Sequence, residues 1–203
     1  MDLSIEIRAL TSKEEPDAVR ILARGMRDNP LHVRAFDADA EHRVRFLELM
    51  FGAVVRQQLS RGSVLGAFRN GELVGVGGMM PPGQCPAGLS GKVAALSALV
   101  LGSGLGNSHR VLQWLSDWAA TDASVEHWHL GPMAVEPRLQ GQGIGSALLR
   151  DCCRRIDADG SAAYLENDKA ENLPLFERFG FQVAEEHEVL GVRNWFMLRA
   201  PTE

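Results

Sequence analysis

With 203 residues, 45% of them hydrophobic and 23% charged, the chain is long enough for one domain with a proper core and has an ordinary globular composition. Its formal net charge of -5, with no long basic run, argues against a general grip on nucleic acid. The opening Met1-Asp2-Leu3-Ser4 lacks the basic and apolar regions of a signal peptide, and the most membrane-like stretch, Ala87 to Gly106, is broken by Lys92 and repeated Gly and Ser. No membrane association is therefore expected. Cys85, Cys152 and Cys153 form no disulfide framework, so reduced thiols in a cytoplasmic setting are the expectation.

Ile5 to Leu10 alternates apolar and polar residues, as a half-buried strand does. Thr11 or Ser12 can cap a following helix, whose apolar stripe is Val19, Leu22, Ala23 and Met26 and which Asn29-Pro30 stops. A second amphipathic helix is predicted from Ala40 to Leu59, with Val44, Leu47, Phe51, Val54 and Val55 inward. Ser63 to Arg69 and Leu73 to Met80 read as a hairpin around Asn70-Gly71, a strong hairpin signal. Between Gln84 and Thr121 the sequence predicts helices over Gly91–Leu101 and His109–Ala119, joined by Gly102-Ser103-Gly104; Trp114 and Trp118 share a face, read as core packing. Then come a strand over Glu126–Val135, a loop and helix, a strand over Ala162–Glu166, a helix over Glu171–Phe179, and strands over Phe181–Val189 and Arg193–Arg199. The uneven alternation predicts an α/β (mixed α+β) domain, a mixed sheet with helices on both faces. No domain-scale linker or repeat interrupts it, so residues 1-203 read as a single domain with a helical insertion at about 84-121.

The most informative segment runs from Met133 to Leu149. A strand ends at Glu136-Pro137, the glycine-rich Gln140-Gly141-Gln142-Gly143 follows, and an apolar helix begins at once. Backbone N–H groups beside a helix N-terminus, where the macrodipole is positive, suit a pyrophosphate. A P-loop would need Lys before Ser146, and the spacing of Gly141, Gly143 and Gly145 does not fit a dinucleotide fold. The segment resembles Gln/Arg-x-x-Gly-x-Gly/Ala, here Gln140-x-x-Gly143-x-Gly145, the acyl-CoA signature of the GNAT superfamily of N-acetyltransferases. A second block, Leu165-Glu166 and then Asn172-Leu173-Pro174-Leu175-Phe176-Glu177-Arg178-Phe179-Gly180-Phe181, is similar to the family's second signature. The pattern is nearest to the branch containing puromycin N-acetyltransferase, which also ends in a strand like Trp195-Phe196-Met197-Leu198-Arg199.

The resemblance implies a splayed central sheet of about seven strands, acetyl-CoA as acyl donor, and a small-molecule amine as acceptor attacked directly in a ternary complex. It implies that the backbone of Met133, Ala134 and Val135 pairs with the pantetheine arm, and that Gln140, Gly141, Gln142, Gly143, Ile144, Gly145 and Ser146 cradle the pyrophosphate. Asn172 and Phe176 match cofactor-contacting positions. Phe176 is a departure, because many relatives place a proton-donating tyrosine there. Pro132 has no N–H to give a neighbouring strand, consistent with pairing failing at that point.

For the catalytic proton, His127 and His129 lie on one face of their strand, and the resemblance implies that His129 occupies the place, relative to Met133-Ala134-Val135, where histone-type members carry a glutamate base. An imidazole suits removal of a proton from an ammonium near neutral pH. Glu166 and Tyr164 share a face of the next strand and can hold substrate charge or relay a proton. A metal is not expected, since sequence places no third ligand near His127 and His129. Two rival functions stay open: a catalytically weak CoA-binding sensor, and a peptide or protein N-terminal acetyltransferase. The last strands offer a surface for a homodimer.

Overall fold

The computed structural model describes residues 4–84, 106–123 and 125–201. Cys85, the predicted Gly91–Leu101 helix and the Gly102-Ser103-Gly104 linker lie outside them. A seven-stranded sheet runs in the order β1-β2-β3-β4-β5-β7-β6. Its strands are β1 (Glu6–Ala9), β2 (Ser63–Arg69), β3 (Glu72–Met80), β4 (His127–Val135), β5 (Ala162–Asn167), β6 (Gln182–Val189) and β7 (Val192–Arg199). Only β4 and β5 pair in parallel among the described strands. The helices are α1 (Glu15–Met26), α2 (Pro30–Phe36), α3 (Ala40–Arg61), α4 (106–121), α5 (Ile144–Asp159) and α6 (Leu173–Arg178).

Two apolar cores lie on opposite faces of the sheet. Leu22, Phe36, Leu47, Phe51 and Trp114, from α1 to α4, pack with Val64, Val76, Tyr164 and Phe196. Leu148, Leu149, Cys152 and Ile156 of α5 pack with Leu65, Val74, Leu165 and Met197 on the other face. β2, β5 and β7 thus divide their side chains alternately between the two cores, as the period of two requires, while in β3 Val74 and Val76 serve opposite cores beside a register shift. Burial pushes the Cys152 thiol up to about 12 and that of Cys153 to about 11, so both are structural hydrophobes rather than nucleophiles.

The β2–β3 turn takes the form its sequence demands, with Asn70 (φ 54) and Gly71 (φ 77) both left-handed. One helix was not anticipated. Asn29-Pro30 ends α1 but also starts α2, because proline is well accommodated in a first helical turn. The Leu31 N–H donates to Asp168 Oδ2 (2.8 Å) and the Asn29 amide to Asp168 Oδ1 (3.1 Å), so a carboxylate just past β5 caps α2. Trp114 and Trp118 meet edge to face at 5.1 Å within the core, as packing residues.

His32 on α2 is buried between Phe51 and Trp114, and its Nδ1 lies 2.8 Å from the Met26 carbonyl. Desolvation outweighs that hydrogen bond and lowers its pKa below the ordinary 6.5. The folded state therefore binds this proton less readily than the unfolded chain. The imidazole's contribution to stability is fully present above about pH 6.5 and is lost as pH falls, at up to about 1.4 kcal/mol per pH unit for one proton. Urea unfolding at pH 7.5 and pH 5 should show a loss in wild type that is smaller in His32→Gln. Equal losses would assign the acid sensitivity elsewhere.

Candidate active site

β4 and β5 pair at His127↔Ala162, Trp128↔Ala163 and His129↔Tyr164, and no further. Beyond that point β4 keeps only its β3 partner, with Met133 opposite Gly77, Ala134 opposite Val76 and Val135 opposite Gly75. β5 keeps only β7, as far as Asn167↔Trp195. The two central strands therefore part at Gly131-Pro132, and the β5-facing edge of Met133, Ala134 and Val135 has no strand partner among the described residues. A register shift in β3 between Gly77 and Met79 lies opposite this point. Gln58 of α3, 3% exposed, braces it by donating to the Gly131 carbonyl at 2.5 Å. Sequence reasoning missed Gln58 because a lone polar residue on a helix gives no signal of a strand contact 73 positions away.

α1 closes one side of β4. A Cβ on Gly25 would stand 2.8 Å from the Ala134 Cβ and 2.9 Å from the Val135 carbonyl oxygen, so only glycine permits this approach. Arg24 pairs with Glu136 at 2.7 Å beside it.

The glycine loop follows directly. Gly143 (φ 82) is the N-cap of α5 and Gly141 (φ 75) precedes it; both are left-handed, with open space where a Cβ would stand. The first helical turn leaves the N–H groups of Ile144, Gly145 and Ser146 without intrahelical acceptors, and no acidic residue occupies it. The loop's side chains brace it instead. Gln140 donates to the Val135 carbonyl (3.2 Å), Gln142 accepts from Arg69 (2.7 Å), and Arg138 reaches Glu72 (3.1 Å). Backbone donors, a positive helix end and unfilled space above two glycines fit a pyrophosphate.

After β5, Asn172 ends a 3-10 turn and donates to Asn167 Oδ1 at 3.4 Å. Phe176 of α6 is half-buried, its ring edge-to-face with Phe181 at 6.2 Å. The structure thus places Phe176 in an apolar seat with no proton to offer.

The candidate acid–base residues gather where the strands begin to part. His129 Nε2 lies 2.9 Å from Glu166 Oε2, with side chains 19% and 6% exposed. Tyr164 packs against both imidazoles, 5.0 Å from His127 and 5.6 Å from His129 between ring centroids. Its hydroxyl donates to the Thr121 carbonyl at 3.2 Å. Burial, then the charges of Glu166, Asp122 and Glu185, push the Tyr164 pKa well above its ordinary value, so the phenol keeps its proton. Asp122, which the sequence reading did not single out, joins the cluster from the end of α4: its Oδ1 is 3.3 Å from His127 Nε2.

Sequence and fold are matched by known proteins. The pattern described as the acetyltransferase (GNAT) family covers residues 31–181. The chain belongs to that family. Acetyltransferases of the family use acetyl-CoA as donor. A stretch of 57 residues is 30% identical to glucosamine 6-phosphate N-acetyltransferase of Trypanosoma brucei brucei, covering 28% of this chain and 39% of that relative's length. The chain is also similar in fold to the histone acetyltransferase HPA2 and related acetyltransferase of Corynebacterium glutamicum, with TM-score 0.75, 22% identity and 98% coverage of each chain. A third likeness is to Drosophila melanogaster polyamine N-acetyltransferase, with TM-score 0.65, 16% identity, and coverage of 97% and 100%. Among the described residues no helix is long and apolar enough to cross a membrane.

Proposed function

We propose that the protein transfers an acetyl group from acetyl-CoA to the primary amine of a small molecule, by direct attack in a ternary complex. The observation that carries this reading is the opening between β4 and β5, with phosphate-suited N–H groups at one end and the His129–Glu166 contact at the other. The thioester brings an already activated acyl group, so no enzyme nucleophile is needed. The free edge of Met133, Ala134 and Val135 holds the pantetheine amides, and Gln140 to Ser146 hold the pyrophosphate, chiefly through backbone N–H groups. Asn172 and Phe176 form the facing wall.

His129 and Glu166 act as one base. The imidazole, the more exposed member, takes a proton from the acceptor ammonium while Glu166 holds the ring and stabilises its charge. The neutral amine then forms the N–C bond as the C–S bond breaks, and the proton that the nitrogen sheds on becoming an amide passes to the departing thiolate. Tyr164, its hydroxyl committed to Thr121, fixes the position of both imidazoles. Glu166, Asp122 and Glu185 all act on the Tyr164 phenol, which makes this end of the site negative and favours a cationic acceptor. The glucosamine phosphate and polyamine enzymes named above act on small amines, as does the puromycin branch that the second sequence block resembles.

Screening CoA release over small amines and short peptides tests the proposal. Turnover with small amines is the expected result, and turnover confined to peptides would replace it with N-terminal peptide acetylation. Phe176 favours a second reading, a CoA-binding protein with weak catalysis. Phe176→Tyr adds one hydroxyl to a half-buried ring and should raise kcat severalfold with little change in acetyl-CoA affinity. No transfer by either protein would establish the CoA-binding reading. Robust wild-type activity that falls in Phe176→Tyr would show that another group already protonates the thiolate.

A further inference from the structure

Asp122 and His127 exchange no proton in the proposed transfer, yet with His129 they bring one carboxylate oxygen and two ring nitrogens within 4.8 Å of one another. His127 Nδ1 lies 2.7 Å from the Val125 carbonyl oxygen, which can only accept, so Nδ1 carries a proton and donates it. A neutral His127 then turns its Nε2 lone pair toward Asp122 Oδ1, 3.3 Å away. That oxygen is buried and receives no hydrogen bond among the described residues. In that state two electron-pair donors face each other, and a cation between them, a proton or a metal ion, satisfies both. His127 is 8% exposed, so bulk water is not at hand to do so.

We propose that Asp122, His127 and His129 form a Zn2+ site whose occupancy inhibits the enzyme. Zinc takes imidazole and carboxylate donors at about 2.0–2.2 Å, which sets neighbouring donors around a tetrahedral ion about 3.3–3.5 Å apart. The His127–Asp122 separation of 3.3 Å already meets that spacing. Both imidazoles have the outer partner that metal-bound histidines use: the Val125 carbonyl for His127, and the Glu166 carboxylate for His129. The second nitrogen of each ring is the one a metal takes, and water completes the fourth position. Soft thiolate ligands are absent from this set, and two imidazoles with one carboxylate suit zinc far better than calcium or magnesium. The inhibitory half rests on the proposed role of His129: a ring whose lone pair is given to zinc cannot take a proton from the acceptor.

The test uses the full chain after chelator treatment. ZnCl2 is titrated calorimetrically, Co2+ serves as a spectroscopic stand-in, and acetyl transfer is followed in parallel. One zinc per chain is expected, with visible Co2+ absorption typical of a four-coordinate nitrogen and oxygen site. Outer-shell changes at zinc sites cost about 10–100-fold in affinity, so loss of a ligand in Asp122→Asn or His127→Gln should weaken binding at least as much. Inhibition by zinc should follow the same order and be reversed by chelator. Absence of stoichiometric binding to the wild type would mean that a proton alone bridges His127 and Asp122, and would overturn the site. Unchanged affinity in both variants would overturn it equally, as zinc held elsewhere. Should either variant fail to fold, the other and the wild-type Co2+ spectrum still decide. Stoichiometric binding without inhibition would overturn the inhibitory half and count against His129 as the base. A protein that acetylates no amine is still judged on binding, so failure of the zinc site and failure of the acetyltransferase reading are told apart.

Discussion

Replacing His129 with alanine is expected to lower kcat by about 10²-fold or more, or about 2.7 kcal/mol of barrier, while acetyl-CoA affinity stays near wild type. The selectivity follows from position. His129 stands where β4 still pairs with β5, whereas the donor's arm and phosphates are assigned to residues 133 to 146 and beyond. Glu166→Gln keeps the shape but removes the charge that holds the imidazole at 2.9 Å, so it should also lower kcat. Because the two residues work as a unit, the double variant should be little worse than the poorer single one. Additive losses would show two independent roles. A far larger loss from Glu166→Gln than from His129→Ala would make the carboxylate the base and the imidazole its support.

Features carried by short-range chemistry could be read from the sequence. Asn70-Gly71 announces its hairpin because a two-residue turn needs two left-handed residues, and both have that conformation. The glycine loop announces a phosphate-suited helix start because an apolar helix follows it at once, and in the structure Gly143 is the N-cap of that helix. His127 and His129 share a face of β4, and Tyr164 and Glu166 meet them across the sheet, as alternation and parallel pairing predict. What escaped was set at long range. Asn29-Pro30 reads locally as a stop, and α2 is legible only with Asp168, 137 residues further on, at its first turn. Asp122 directly follows α4, in a segment whose sequence reads only as small residues and helix formers. Its nearness to His127 depends on where α4 delivers the chain, which no periodicity encodes. Gln58 is invisible for the same reason. The alternation that marks a strand says nothing about where its pairing stops, although Pro132, with no N–H to offer β5, marked the place.

Gly143→Glu is expected to abolish acetyl-CoA binding without unfolding the protein. Saturating donor at about 100 times its Kd should stabilise wild type by about 2.7 kcal/mol, which for a chain of this size raises Tm by roughly 5–10 °C. Gly143 sits at φ 82 with open space beyond its Cα, so a glutamate there meets no packed neighbour but accepts a left-handed backbone costing about 1–3 kcal/mol. Its carboxylate would stand at the positive end of α5 and compete with the pyrophosphate for the same N–H groups. Backbone strain alone could lower Tm, so a matched control is needed at the other end of the same helix. Gly160 caps the C-terminus of α5 at φ 66, also with nothing within 4 Å of its ideal Cβ. Gly160→Glu therefore imposes comparable strain far from the phosphate-suited N–H groups, with the added charge at the negative end of the dipole. Thermal melts should show Gly160→Glu starting lower than wild type yet gaining the full shift with acetyl-CoA, and Gly143→Glu gaining none. A Gly143→Glu protein protected like wild type would place the pyrophosphate elsewhere. Loss of protection in both variants would show that strain in α5, rather than charge at its N-terminus, governs donor binding.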